Sequence, residues 1–179
     1  MGKEFQVIYQ YQIGLSTMAL QAHRHPQYQT FIKDIEGDYM TDDTARDLLH
    51  SGCLDDSSTY DGRRIATIHF TNYIQKTPIL IDQAEGIIAI PTHSPDQEAC
   101  CWLFLHHLLH VEAISSTRCV VVFNNHDRLI LNVSAITIYE QVKKASVVLT
   151  RFCSNKQFNF SLNPKVKRSS KSRSRKIKD

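Results

Sequence analysis

Residues 119–133 read Cys-Val-Val-Val-Phe-Asn-Asn-His-Asp-Arg-Leu-Ile-Leu-Asn-Val, and they give the clearest indication of the fold class. Two runs of β-branched and apolar residues flank turn formers at 124–127, which is the pattern of a β-hairpin. Residues 137–152 follow with apolar side chains at helical spacing, so they predict an amphipathic helix. A hairpin that leads into a helix indicates a mixed architecture without the strand–helix alternation of a parallel sheet.

The chain before this stretch is also rich in strand signals. Alternating polarity predicts a half-buried strand at 5–13. Short β-branched or apolar runs, bounded by turn residues, predict four more strands. These lie at 17–23, 28–36, 78–81 and 86–91.

Helix signals are fewer. Asp43 or Thr44 can cap a helix over 44–54, where apolar residues recur near helical spacing. Residues 57–64 are turn-like, whereas the patterns at 65–74 and 102–114 fit either a helix or a strand. We therefore expect an α+β fold, a single β-rich domain with about two helices, near 44–54 and 137–152.

The charge of the chain is concentrated at its C-terminal end. Of the 21 Lys and Arg residues, eight lie between Pro164 and Asp179, which contain one acid, so the remaining residues are mildly acidic. Such a segment cannot bury a core, so we expect a domain over 1–163 and a disordered basic tail over 164–179. Each tail cation can neutralise one phosphate of a nucleic acid without regard to sequence. The tail residues predicted to bind DNA are Lys165, Lys167, Arg168, Lys171, Arg173, Arg175, Lys176 and Lys178.

Composition excludes several classes of protein. No apolar run approaches the roughly 20 residues of a membrane helix, and the N-terminus does not resemble a secretory signal, so we expect a cytoplasmic protein without membrane contact. The five cysteines are odd in number and contain no Cys-x-x-Cys. They predict reduced, partly buried thiols rather than disulfides or a zinc ribbon.

Catalytic and metal-binding patterns are weak. His106 and His110 are four residues apart, but the glutamate of a zinc-protease helix is absent, and core or surface histidines explain the pattern better. Ser94 follows His93 without the Gly-x-Ser-x-Gly of a nucleophile elbow, and the six glycines do not cluster into a phosphate-binding loop. We expect no enzymatic activity, no metal and no cofactor.

Three cations within the domain are candidate DNA ligands. Arg63 and Arg64 follow Gly62 and two serines in a segment that can present backbone donors to phosphate. Lys76 precedes Thr77-Pro78 in a similar, weaker context. From composition alone, solvated surface arginines explain Arg63 and Arg64 slightly better than DNA contacts do.

Five segments of the chain, at 51–53, 55–64, 76–81, 87–95 and 100–102, together resemble the ComK family of bacterial competence transcription factors. Asp55-Asp-Ser-Ser-Thr-Tyr-Asp-Gly-Arg-Arg64 is similar to the family's Gly-Ser-Ser-Tyr-x-Gly-Arg-Lys/Arg stretch. The resemblance runs from about residue 11 to about residue 153, with Thr59 and Asp55-Asp56 as departures in the segment that carries the arginines. The other matching segments are Ser51-Gly-Cys53, Lys76-Thr-Pro-Ile-Leu-Ile81, Ile87-Ile-Ala-Ile-Pro-Thr-His-Ser-Pro95 and Cys100-Cys-Trp102.

The resemblance implies a cytoplasmic, nucleoid-associated activator of genes for DNA uptake. It further implies recognition of A/T-rich boxes in double-stranded promoter DNA, largely through the minor groove, by a homo-oligomer. RNA polymerase and an adaptor with a Clp-type protease are the further partners it implies. In this interpretation Arg63 and Arg64 enter the minor groove, and a turn at Gly62 lets the backbone approach. The alternative is a basic-tailed RNA-binding or ribosome-associated protein.

Overall fold

The computed structural model describes residues 5–153, which form two β-sheets and three helices. The large sheet contains β1 (Gln6–Val7), β2 (Thr17–Ala22), β3 (Thr30–Asp34), β4 (Asp38–Thr41), β5 (Ile79–Asp82), β6 (Ile87–Pro91) and β7 (Cys101–Phe104). The small sheet contains β8 (Leu108–Ser115), β9 (Arg118–Phe123) and β10 (Arg128–Leu131). The helices are α1 (Ala45–Asp55), α2 (Tyr60–Thr71) and α3 (Ala135–Cys153), and a 3₁₀ turn spans Leu105–His107.

The large sheet has the strand order β1-β4-β3-β2-β7-β6-β5 and separates two hydrophobic cores. Its strands pair antiparallel except for β1, which lies parallel to β4. On one face, alternate residues such as Ile79 and Trp102 pack with α1 and α2; on the other, Leu80 and Leu103 pack with α3 and the small sheet. Because both faces are buried, β6 and β7 are continuous apolar runs without alternation.

Helix α1 packs closely on the edge strand β5. Thr44 caps the helix and exchanges hydrogen bonds with Asp47 as a capping box, so of the two predicted caps it is Thr44 that forms. Gly52 faces the sheet, and a Cβ atom there would lie 2.9 Å from Ile81 Cγ2. The absence of a side chain at Gly52 therefore sets the distance between helix and sheet.

The α+β class is confirmed, and the hairpin and the two predicted helices are present. Strands β9 and β10 pair in the register Val122–Arg128, with His126 at φ 67° in the turn between them. The expectation of about two helices is corrected to three, because residues 60–71 form α2 rather than a turn followed by an ambiguous run. Thr59 is the N-cap of this helix and accepts a hydrogen bond from Gly62 N.

The strand predicted at 5–13 is wrong except for its first residues. Strand β1 contains only Gln6–Val7, with one further backbone hydrogen bond from Ile8 N to Met40 O at 2.9 Å, and Gln10 has φ 57°, which interrupts the extended backbone. The Tyr11 hydroxyl donates to Asp34 Oδ2 at 2.5 Å. This side-chain hydrogen bond, rather than backbone pairing with a strand, holds the segment around Tyr11 against the sheet. Residues 102–114, which fitted either pattern, form strand, a 3₁₀ turn and strand again.

Three further expectations concern cysteines, membranes and the tail. All five cysteines are free and buried, as expected of reduced thiols. Between residues 5 and 153, none of the helices combines the length and apolarity that crossing a membrane requires. The tail at 164–179, with its eight predicted DNA-binding residues, lies outside the described residues.

Candidate nucleic-acid interface

Three segments that are distant in sequence line one open groove of about 550 Å³. They are the first two turns of α2, the loop from Ile74 to Thr77, and the loop from Ser94 to Asp96, and Arg46 of α1 completes the lining. We call this cavity the basic groove. Its charged lining residues are Arg46, Arg64, Lys76, Asp61 and Asp96, so cations outnumber carboxylates by one.

Arg64 links two walls of the basic groove. It lies in the second turn of α2, and its guanidinium Nη2 is 3.4 Å from the carbonyl oxygen of Ile74 in the neighbouring loop. This long hydrogen bond engages one of the five guanidinium N–H groups, so the others are available to a ligand. The partial positive charge of the helix N-terminus adds to that of the side chain.

Lys76 is presented by a loop with a fixed backbone. Asn72 ends α2 in a left-handed conformation, and the buried Thr77 donates its hydroxyl proton to Tyr73 O at 2.7 Å. Lys76 itself has φ 48°, a region that lysine rarely occupies. The loop therefore holds Lys76 at the groove by its backbone path.

Lys144 of α3 supports the same loop from behind. Its Nζ donates to Gln75 O at 2.9 Å and lies 5.5 Å from the centre of the Tyr73 ring. Burial lowers the pKa of Lys144, and the nearby charge of Lys76 lowers it further. Lys144 is thus a fourth cation near the groove, and no sequence motif singled it out.

Arg46 is a cation of the groove lining that no sequence motif predicted. Its guanidinium carbon lies 4.7 Å from the centre of the Tyr60 ring, and Nη2 is 3.1 Å from Asp61 Oδ1. Tyr60 is buried and meets Trp102 edge-on, with ring centroids 6.2 Å apart. Arg46 therefore rests on a rigid aromatic surface, and its place depends on how α1 packs against α2.

Arg63 has different surroundings from its neighbour Arg64. Successive residues of a helix are about 100° apart around the axis, and Arg63 points away from the basic groove. Its side chain is 14% exposed and binds the carboxylate and the carbonyl oxygen of Asp56, the latter at 2.9 Å. The structure therefore brings Arg64 and Lys76 together and leaves Arg63 outside their groove.

The Asp56–Arg63 pair is part of a larger contact, which we call the Asp56 cluster: Asp56, Arg63, Gln83 and Phe152. Gln83 N donates to Asp56 Oδ2 at 2.9 Å, and Gln83 Nε2 donates to Phe152 O at 2.7 Å. The cluster thus connects the end of α1, the first turn of α2, the β5–β6 turn and the end of α3. These contacts hold the four parts of the fold together.

Gly62 has a different place from the predicted one. It lies within α2 and not in a turn, so the expected approach of a turn backbone to DNA has no counterpart at this residue. A Cβ atom at Gly62 would lie 3.0 Å from Thr59 Oγ1. Glycine here leaves room for the helix cap.

The histidines at 106, 107 and 110 do not converge. His106 Nε2 and His107 Nε2 both face the carbonyl oxygen of Leu15, at 3.2 and 2.6 Å, whereas His110 Nε2 is 3.0 Å from Glu112 Oε1 on β8. Burial lowers the pKa of His106. Within the described part of the chain, no group of three or more His, Cys, Asp or Glu residues is arranged to hold a metal ion.

Comparison with known proteins identifies the family. A family model described as ComK protein matches residues 8–157, which include every segment that lines the basic groove. The chain belongs to the ComK family. It is 27% identical over 105 residues to a competence transcription factor of Bacillus subtilis (strain 168), a match that covers 59% of this chain and 55% of that relative. The chain thus matches about half the length of this curated relative, and no solved structure matches it significantly.

Proposed function

We propose that this chain is a transcription activator of competence genes that binds A/T-rich promoter DNA through the basic groove. The observation that carries the proposal is that Arg46, Arg64 and Lys76 come from three segments and share one groove. The family and the relative's description as a competence transcription factor support the biological role. The protein acts by binding, without catalysis, in the cytoplasm and at the nucleoid.

The groove suits the electrostatics of A/T-rich DNA. A-tracts have a narrow minor groove with an enhanced negative potential, which attracts arginine side chains. Arg46 and Arg64 supply two such side chains, and Lys76 supplies a point charge for phosphate. The carboxylates of Asp61 and Asp96 in the same groove weaken binding to any single phosphate, so affinity depends on DNA that engages all three cations.

The basic tail and the other partners complete the proposal. The tail cations add affinity that does not depend on sequence, while the groove supplies the preference for A/T-rich sites. Paired promoter boxes require two or more copies of the chain, so we propose a homo-oligomer. RNA polymerase and an adaptor–protease system are the proposed protein partners.

The experiment is a gel-shift titration of full-length Arg64→Gln on an A/T-rich competence promoter and on a G/C-rich duplex of equal length. We expect affinity for the promoter to fall by about tenfold or more, because a lost arginine contact to DNA costs about 1–3 kcal/mol. Arg118→Gln is the matched control, since it removes one exposed arginine from the small sheet, outside the groove.

Two results would contradict the proposal. One is an Arg64→Gln protein that keeps the affinity and promoter preference of the Arg118→Gln control. The other is an RNA competitor that displaces wild-type protein from promoter DNA more efficiently than unlabelled promoter does, which would favour the RNA-binding alternative.

A further inference from the structure

A second cavity extends the basic groove. It measures about 280 Å³ and shares Arg46, Tyr60, Pro95 and Asp96 with the groove, so the two cavities adjoin. Its other lining residues include Ala22 and Gln29, at the start and end of the connection between β2 and β3, and Glu98. We call the two adjoining cavities the channel; Lys76 lines the first cavity, and residues next to the β2–β3 loop line the second.

The β2–β3 loop carries an exposed arginine beside the channel. Nε and Nη2 of Arg24 donate to the carboxylate of Glu98. The loop that carries Glu98 also carries Pro95 and Asp96, which line both cavities. The Arg24 side chain is 85% exposed and that of Glu98 50% exposed. The hydrogen bonds between them lower the pKa of Glu98 and raise that of Arg24.

The same loop carries a stack of three rings. The ring centroids of His23 and His25 are 6.1 Å apart, those of His25 and Tyr28 are 4.9 Å apart, and the interplanar angles are 15° and 17°. The loop is closed by His23 N, which donates to Gln29 O at 2.8 Å, and Gln29 N donates to Thr41 O at 2.8 Å. The middle ring, His25, is exposed, whereas His23 and Tyr28 are half-buried, so the stack reaches the surface through His25 on a loop with fixed ends.

We propose that the β2–β3 loop is a second nucleic-acid contact, in which Arg24 moves from Glu98 to a backbone phosphate and the ring stack packs against the adjacent sugar or base edge. The proposal rests on the proposed function, because its ligand is the same duplex that occupies the basic groove. Because the two cavities adjoin at Arg46 and Asp96, one duplex that lies across this surface can reach both contacts.

The Arg24–Glu98 pair is suited to this exchange. Arginine binds carboxylate and phosphate with the same two-pronged geometry, so the guanidinium needs little rearrangement. An exposed ion pair contributes little to stability, and breaking it therefore costs little. Glu98 competes with phosphate for Arg24. A duplex therefore gains this contact only when one of its phosphates lies close enough to Arg24 to replace the Glu98 carboxylate.

The test is hydroxyl-radical footprinting and a salt series with full-length variants on one A/T-rich promoter fragment. For Arg24→Gln we expect protection in the centre of each box to remain while protection at one flank of each box is lost. We also expect the salt slope to fall by about 1 and affinity near 0.1 M salt to fall by about five- to tenfold, because each phosphate contact contributes about 0.9 to the slope. Arg118→Gln is the control of equal charge.

A second variant removes the charge of Glu98, which competes with phosphate, and leaves Arg24 in place. Glu98→Gln frees Arg24, so we expect DNA affinity to rise by about two- to fivefold relative to Glu85→Gln, since one competing charge is removed. Glu85 is an exposed glutamate in the β5–β6 turn, at the other end of β6 from the Glu98 loop. Thermal unfolding of each variant checks that the fold is intact.

The outcomes separate this inference from the proposed function. If Arg24→Gln and Glu98→Gln match their controls while Arg64→Gln loses the promoter, the second contact is wrong and the basic groove stands. If Arg64→Gln also matches Arg118→Gln, the proposed function fails as well. A flank lost only in Arg24→Gln, together with tighter binding by Glu98→Gln, supports the second contact.

Discussion

Arg63 and Arg64 are neighbours on α2, yet one belongs to the Asp56 cluster and the other to the basic groove. Arg63 is mostly buried and holds a carboxylate, whereas Arg64 makes one long hydrogen bond and faces open space. A buried arginine with a fixed acidic partner is a structural part, and removing it leaves an unpaired charge. A partly exposed arginine with unused donors is free to bind a ligand. The helical face, rather than the motif, therefore separates the surroundings of these two arginines.

Arg63→Ala gives the largest expected effect. Loss of the guanidinium leaves Asp56 partly buried without its ion pair, so we expect the free energy of unfolding to fall by about 2–3 kcal/mol. Denaturant unfolding measures this value, and Arg64→Ala, expected within about 0.5 kcal/mol of wild type, is the control. At a temperature where Arg63→Ala is folded, its promoter affinity should stay near that of wild type.

The opposite result would break the comparison. If Arg63→Ala unfolds like wild type but no longer prefers A/T-rich sites, then Arg63 contacts DNA as its sequence motif predicts. The Asp56 pair would in that case be a resting contact that DNA displaces.

Cys53 lies beside the Asp56 cluster, and its buried thiol makes the stability of the protein depend on pH in alkaline solution. Burial raises the pKa of Cys53 from 9.0 to about 11, with a smaller opposing effect of Arg63. The folded protein then keeps a proton that the unfolded thiol loses above about pH 9, so stability falls as pH rises from about 9 to 11. From this shift we expect a loss of about 1.4 kcal/mol near pH 10.

Unfolding titrations at pH 8 and pH 10 measure this loss, with Cys53→Ala as the comparison. The substitution lowers stability at both pH values but should reduce the difference between them. If the difference is the same in Cys53→Ala and in wild type, the buried thiol is not its source, and the remaining buried cysteines become the candidates.

Sequence patterns predict most of this fold because apolar periodicity reports burial. The hairpin at 119–133 and helix α3 have one clearly buried face each, and both predictions are confirmed. The sequence leaves helix α2 undecided, because serines and a glycine make 57–64 turn-like and because Ile65 and Phe70, two of the apolar residues of the ambiguous run at 65–74, are exposed. The threonine cap at Thr59 was the available signal, and it appeared only as a departure from the family pattern.

The candidate site was predicted in part for a related reason. The motifs located Arg64 and Lys76, but they did not distinguish Arg64 from Arg63, since that distinction requires knowing that the segment is helical. Arg46 lies in a predicted helix, yet its place over Tyr60 depends on packing between α1 and α2. Contacts of this kind, between elements distant along the chain, leave no local pattern in the sequence.

Lys76→Asn gives the smallest expected effect. It tests separately what Lys76 contributes to DNA binding and to the stability of the fold. Asparagine tolerates the left-handed backbone better than lysine does, so we expect stability to be unchanged or to rise by a few tenths of a kcal/mol, up to about 1. Loss of the cation removes one phosphate contact, so promoter affinity near 0.1 M salt should fall by about five- to tenfold.

Lys76→Arg, which keeps the charge and the strained backbone, should retain most of the affinity. If Lys76→Asn instead binds promoter DNA as wild type does, Lys76 contributes only to the shape of the loop, and the basic groove would rest on Arg46 and Arg64 alone.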